Sequence, residues 1–254
     1  MNVARREVIA GLAGLSLATV LADPRLARAA AASLETVALT TAGGRQVGAA
    51  LAVPAATPAP AVLLVHEWWG LNDQIKSVAA ELGRLGYLAL ALDLFGGKVA
   101  TTPDEAKKLI EGVDGATATD KVKSWAAWLK AEPRANGRLA TIGWCFGGGW
   151  ALNAALAEPA DATIVYYGNV AKTAAELAAL KGPVLGHFAT KDQWINQAMV
   201  EGFSAAMKEA GKGLEAHWYE ADHAFANPSG GRYDEADAKL AWERTLAFLK
   251  ATIG

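Results

Sequence analysis

Apolar positions recur at two spacings along this chain. Residues 35–40 and 46–53 alternate apolar and polar side chains around Ala42-Gly43-Gly44, which predicts a β-hairpin. Residues 54–60, bounded by Pro54 and Pro60, read as a linker. Beyond it, short apolar runs over 61–65, 87–92, 139–143, 162–167, 184–189 and 215–219 predict strands. Helical patterns fill the intervals near 75–85, 103–110, 119–130, 149–157, 174–180 and 195–210. A final helix over about 234–253 sets Trp242, Leu246, Leu249 and Ile253 on one face. Strand and helix in alternation imply an α/β fold with a mainly parallel central sheet and helices on both faces.

Ahead of the hairpin the pattern changes. Arg5-Arg6 precede an apolar run over 8–22, and Ala27-Arg28-Ala29 follows, which is the n, h and c order of a signal peptide. Paired arginines before a Gly/Ala-diluted run resemble a twin-arginine export signal. An amphipathic N-terminal helix or an uncleaved anchor is the alternative, but the run is short of the ~20 residues that span a bilayer. Residues 1–32 are therefore expected to be a leader that directs the protein to the periplasm or outside the cell. Residues 33–254 are expected to form one domain around one core.

Composition narrows the partners. At 52% apolar and 20% charged residues the chain is globular in type, and a net charge of -2 leaves no basic stripe to displace counterions from a nucleic acid. A small-molecule partner and a monomeric state are expected. The single cysteine excludes an intramolecular disulfide, so it is either a buried apolar residue or a free, usable thiol.

That cysteine stands in Gly143-Trp144-Cys145-Phe146-Gly147, after a strand and before a helix that opens with Gly148-Gly149. Glycines on either side permit the cramped strand-to-helix turn that lifts a nucleophile above a sheet, as in the G-x-S-x-G elbow of α/β-hydrolases. A helix N-terminus and a nearby imidazolium would both lower the thiol pKa, so a reactive thiolate is expected. Chain order supplies the partners. Asp192 follows the strand over 184–189, and His223 follows the strand over 215–219, where the acid and base of this fold belong. His66, His187 and His217 read as hydrogen-bonded structural residues, and Asp222 as a solvated neighbour of the base.

His66-Glu67-Trp68-Trp69-Gly70 ends the first core strand. It is not a zinc-protease helix, because H-E-x-x-H needs histidine at position 70. At this place the fold carries its oxyanion loop, so the backbone N–H groups of Trp68 and Phe146 are expected to bind the oxyanion, with Glu67 directed toward Cys145. Trp68, Trp69, Trp144, Phe146, Trp150 and Trp194 gather near the expected site mouth. Some would line an acyl pocket, while Trp144 and Trp150 serve equally well as core residues.

From about Val37 to its end the chain resembles the dienelactone hydrolase (carboxymethylenebutenolidase) family. The resemblance rests on Glu67, Asp93-Leu94, Gly143-x-Cys145-x-Gly147-Gly148, Tyr166-Tyr167-Gly168, Asp192, His217-Trp218-Tyr219 and His223-x-Phe225. It implies a Cys-His-Asp triad, no metal or organic cofactor, and a glutamate that holds the resting cysteine until substrate displaces it. Dienelactone-opening members also grip the substrate carboxylate with two arginines. Here the matching stretches read Phe95-Gly96-Gly97-Lys98 and Ala226-Asn227, with Lys98 or Arg232 as substitute cations. The expected activity is hydrolysis of a lactone or carboxylic ester, with Trp69, Trp194, Lys98 and Asn227 as substrate contacts. The rival readings are a broad carboxylesterase or thioesterase, and a silent domain of the same fold that only binds a ligand.

Overall fold

The computed structural model describes residues 15–254. Eight strands form one sheet in the order β1-β2-β4-β3-β5-β6-β7-β8. Strands β1 (Glu35–Thr40) and β2 (Gln46–Ala52) make the expected antiparallel hairpin, with Glu35 opposite Leu51. β2 pairs antiparallel with β4 (Leu88–Leu92), while β3 (Ala59–Val65) lies parallel between β4 and β5 (Ala135–Trp144). β6 (Ala162–Tyr166), β7 (Val184–Ala189) and β8 (Leu214–Tyr219) continue the parallel order.

The central strands read as unbroken apolar runs because both of their faces are covered. Along β3 and β4 the side chains divide with period two. Leu63, Val65, Leu90 and Leu92 join one core layer, and Val62, Leu64, Ala89 and Ala91 join the other. Helices α5 (Gly115–Ala131), α6 (Phe146–Ala157) and α8 (Gln197–Glu209) contribute Trp125, Leu152 and Phe203 to the first layer. Helices α3 (Asp73–Arg84) and α9 (Glu235–Thr252) contribute Ile75, Leu82 and Leu249 to the second. On α9 the anticipated face is inward, with Trp242 and Leu246 packed against the second core layer that holds Leu249 and Ile253.

Several boundaries differ from the sequence expectation. β5 begins at Ala135, earlier than the apolar run, since its first residues are held by backbone pairing to Ala59 before a register shift. α5 begins at Gly115 because the Asp114 carboxylate accepts the Thr117 N–H at 2.8 Å and caps it. Two shorter helices, α4 (Pro103–Glu111) and α7 (Ala174–Leu177), each start on a threonine–glutamate capping box.

Arg5, Arg6 and much of the apolar run of the expected leader lie outside the described residues. Its remainder forms α1 (Leu17–Ala22) and α2 (Pro24–Ala32), with Val20, Ala27 and Ala30 buried. The Ser77 hydroxyl of α3 donates to the Ala27 carbonyl at 3.0 Å, and Arg28 approaches Asp73 at 4.0 Å. Among the described residues no helix is long and apolar enough to cross a membrane.

Candidate active site

The parallel strands all deliver their C-terminal ends to one edge of the sheet, and the loops that follow β3, β5, β6, β7 and β8 meet there. Cys145 occupies the turn between β5 and α6 with φ 56° and ψ -121°, a conformation non-glycine residues rarely hold. The flanking glycines make the turn possible. A Cβ at position 143 would run into the Gly147 carbonyl, and one at 147 would run into the Val65 carbonyl. The turn is pinned by Cys145 N–H donating to the Tyr166 carbonyl and Gly148 N–H donating to the Cys145 carbonyl, each at 3.0 Å.

Asp192, His223 and Cys145 form one hydrogen-bonded relay. His223 Nδ1 lies 2.6 Å from Asp192 Oδ2, and His223 Nε2 lies 3.1 Å from Cys145 Sγ. The second Asp192 oxygen accepts the backbone N–H groups of Trp194 at 2.8 Å and Ile195 at 3.0 Å. Burial opposes ionisation of this carboxyl, but His223 and the two amides outweigh it and hold Asp192 below its ordinary range. An ionised Asp192 fixes the proton of neutral His223 on Nδ1 and leaves Nε2 free to accept the thiol proton.

The backbone N–H groups of Phe146 and Trp68 both point at Sγ, which brings the two expected oxyanion donors together on the sulfur. The expected thiolate is not the resting state. Burial first, and the nearby Glu67 carboxylate second, push the thiol up to about 12, and the two amides offset only part of this. The helix N-terminus does not win here because the sulfur is desolvated beside a carboxylate.

Glu67 is itself buried, with Asn227 Nδ2 donating to one oxygen at 2.6 Å and the Tyr167 hydroxyl to the other at 3.4 Å. Burial raises its pKa to about 7, against the lowering effects of Asn227, His223, Tyr167 and Arg232. Asn227, anticipated among the substrate contacts, therefore has its amide engaged behind Glu67. Lys98 lines a separate cavity together with Phe95, Lys108 and Lys121.

At the mouth, Trp194 is 60% exposed and stands edge-on to His223 at 5.2 Å, with the Arg232 guanidinium 5.4 Å over its ring. Trp68 and Trp69 pack edge to face at 5.0 Å, both half-buried. Trp144 goes to the core, stacked on Tyr166 at 5.4 Å, and Trp150 packs against Phe146 at 6.2 Å. The role of Tyr167 was not legible from its sequence position, although Tyr166-Tyr167-Gly168 stood out as a motif. Its ring lies 5.2 Å from His223 and its hydroxyl meets Glu67.

The other histidines are structural. His66 donates from Nδ1 to the Glu67 carbonyl at 2.6 Å and accepts the Leu94 N–H at Nε2, tying the ends of β3 and β4 together. His187 is buried between the Tyr219 hydroxyl and Thr245, and His217 contacts Glu215 at 2.6 Å. Asp222 is exposed.

A parallel sheet with a strained nucleophile turn, followed in chain order by acid and histidine, defines an α/β-hydrolase. The chain belongs to the Dienelactone hydrolase family, whose sequence profile matches residues 47–253. It is 29% identical to the carboxymethylenebutenolidase of Pseudomonas putida, over 85% of this chain and 95% of that one. It is also 29% identical to carboxymethylenebutenolidase 1 of Cupriavidus pinatubonensis, over 84% and 95%. A dienelactone hydrolase-like promiscuous phosphotriesterase from metagenomic libraries shares the fold at TM-score 0.78 and 21% identity, over 87% of this chain and 99% of that one. The chain is thus a lactone or ester hydrolase of this family.

Proposed function

We propose that Cys145 attacks the carbonyl of a lactone or carboxylic ester and that the reaction passes through a thioester. The observation that carries this reading is the continuous relay from Asp192 through His223 to Sγ. His223 Nε2 takes the thiol proton as the Sγ–C bond forms, and Asp192 stabilises the imidazolium. The carbonyl oxygen becomes an oxyanion held by the Trp68 and Phe146 amides, which turn from sulfur to oxygen. The C–O bond then breaks, and His223 returns the proton to the departing alkoxide or enolate. In the second half His223 deprotonates a water that attacks the thioester, the acid leaves, and the proton goes back to sulfur.

Glu67 keeps the resting thiol neutral, which spares an unpaired cysteine from oxidation until a substrate carbonyl is in place. The substrate is a neutral lactone or short ester bound against Trp68, Trp69 and Trp194, because no arginine stands at either stretch where dienelactone-opening relatives use one. Export fits the same chain: residues 1–32 act as a twin-arginine leader, and replacing Arg5 and Arg6 by lysine should trap the precursor in the cytoplasm. Export unchanged by those substitutions would remove this route. The hydrolase reading is tested with a panel of lactones and alkyl esters on wild type and Cys145→Ala. Turnover by the wild type that falls to background in the variant supports it, and turnover that survives the substitution refutes it.

A further inference from the structure

Glu67 follows β3, and Asn227 lies four residues beyond His223, yet their side chains meet at 2.6 Å with both residues buried. The Asn227 amide has a fixed sense, because its Oδ1 accepts the Ser229 N–H at 2.9 Å and its NH2 is then the end that faces Glu67. The second oxygen of Glu67 accepts from the Tyr167 hydroxyl, so both direct side-chain partners of this carboxyl are neutral. We propose that Asn227 is a positioning residue: its amide clamps Glu67 beside Cys145 and sets the pH at which that carboxyl ionises. This rests on the reading of Glu67 as the group that governs the thiol.

A cation hydrogen-bonded in the same place would hold the carboxylate charged throughout the pH range in which proteins work. An amide supplies a hydrogen bond without a countercharge, and burial then dominates. The groups facing Glu67 are few. Asn227, His223 and Arg232 come from the segment after β8, Tyr167 from the end of β6, and Cys145 from the elbow. His66, on the segment of Glu67 itself, turns its ring to the Glu67 carbonyl and the Leu94 amide. His223 and Arg232 favour the charged form but make no hydrogen bond to it, and the carboxyl is left titrating at about 7. Because the charge on Glu67 opposes thiolate formation, Asn227 acts on Cys145 through Glu67.

The test reads the carboxyl directly, with no need for turnover. Protein labelled with carbon-13 at the glutamate side-chain carboxyl is titrated by NMR, and the Glu67 signal is the one missing from Glu67→Gln. The wild-type midpoint should fall near 7. Asn227→Ala should raise it by about one to two units, the loss expected for one hydrogen bond to a charged group. Asn227→Asp keeps the shape and the cap on Ser229 but sets two carboxyls against each other. They then share a proton, and the upper of the two steps should rise at least as far. Thermal melts show that each variant is folded, and if the alanine variant unfolds the aspartate variant decides. A midpoint unmoved in folded variants, or a wild-type midpoint below ~5.5, overturns the proposal. Failure of the hydrolase reading would appear separately, as absent turnover in the ester panel.

Discussion

Replacing Glu67 by glutamine removes one buried charge beside the sulfur while keeping the shape of the side chain and an oxygen for the Asn227 amide. Two unit charges ~5 Å apart interact by about 3 kcal/mol at an effective dielectric of ~20, which sets an upper limit of roughly two pKa units on what the substitution releases. The thiol, held at about 12 in the wild type, should fall by about one to two units. At pH 8 that raises the thiolate fraction tenfold to a hundredfold on the order of magnitude, but each unit costs about threefold in intrinsic nucleophilicity. The net gain in alkylation rate is therefore ~3- to 10-fold. Iodoacetamide under pseudo-first-order conditions, followed by intact mass, measures it without ambiguity because Cys145 is the only thiol. The same comparison at pH 5.5 is the internal control. With Glu67 titrating at about 7, the wild-type carboxyl is protonated there and the two rates should converge. Equal rates at pH 8, or a slower variant, would show that Glu67 does not hold the thiol neutral.

Three further outcomes follow from the same geometry. Asp192→Asn and His223→Ala should each lower kcat by orders of magnitude, and the double variant should lose little more than the worse single one, since both act on one step; additive losses in steady-state kinetics would break up the relay. Glu67 has a folded pKa of about 7 against an ordinary 4.5, so folding favours its neutral form, and the stability this gives is present below pH ~4.5 and lost as pH rises through 7. Glu67→Gln should accordingly melt higher than wild type at pH 8 and level with it near pH 4.5, and calorimetry that finds the opposite order would reverse the sign. A neutral methyl ester of a dienelactone should show kcat/KM at least equal to that of the free acid; a hundredfold preference for the acid would require a cation clamp, which Arg232→Ala and Lys98→Ala would identify.

The mainly parallel sheet and the helices on both of its faces were legible because the core stretches of the strands are mostly apolar and alternate with helical patterns, whereas the order of the strands in the sheet came only from the fold. Boundaries slipped where polar residues are held by backbone pairing, as at Ala135 in β5, a bond that leaves no trace in hydropathy. The relay was legible for a different reason. A nucleophile turn needs glycines at 143 and 147 for steric reasons, and the fold dictates which later loops reach it. What the sequence did not disclose is the charge state of the sulfur. The local cues at Cys145, a helix N-terminus and an imidazole, argue for a low pKa, whereas the outcome is decided by Glu67, 78 positions earlier in the chain. Asn227 shows the same limit: four residues past the histidine it reads as a substrate contact, and its hydrogen bond to Glu67 is visible only in the folded chain.

Backbone strain marks the site independently of any motif. Among the described residues three non-glycine positions hold positive φ, namely Cys145 at 56°, Tyr167 at 38° and Ala224 at 68°. They follow β5, β6 and β8, and each sets one part of the chemistry: Cys145 the nucleophile, Tyr167 a donor to Glu67, and Ala224 the turn directly after His223. Each such conformation costs on the order of 1–3 kcal/mol and persists only where the surroundings over-determine it. The parallel sheet supplies that constraint, since Cys145 N–H is bonded to the Tyr166 carbonyl and Tyr167 N–H to the His187 carbonyl, one strand tying the turn of its neighbour. The elbow and the Tyr167 turn that supports the glutamate clamp are thus tied to adjacent strands of one sheet. A substitution such as Gly168→Ala, which drives a Cβ into the backbone at Gly148 and Gly149 directly after the elbow, should therefore disturb the thiol and the relay together while lying in neither.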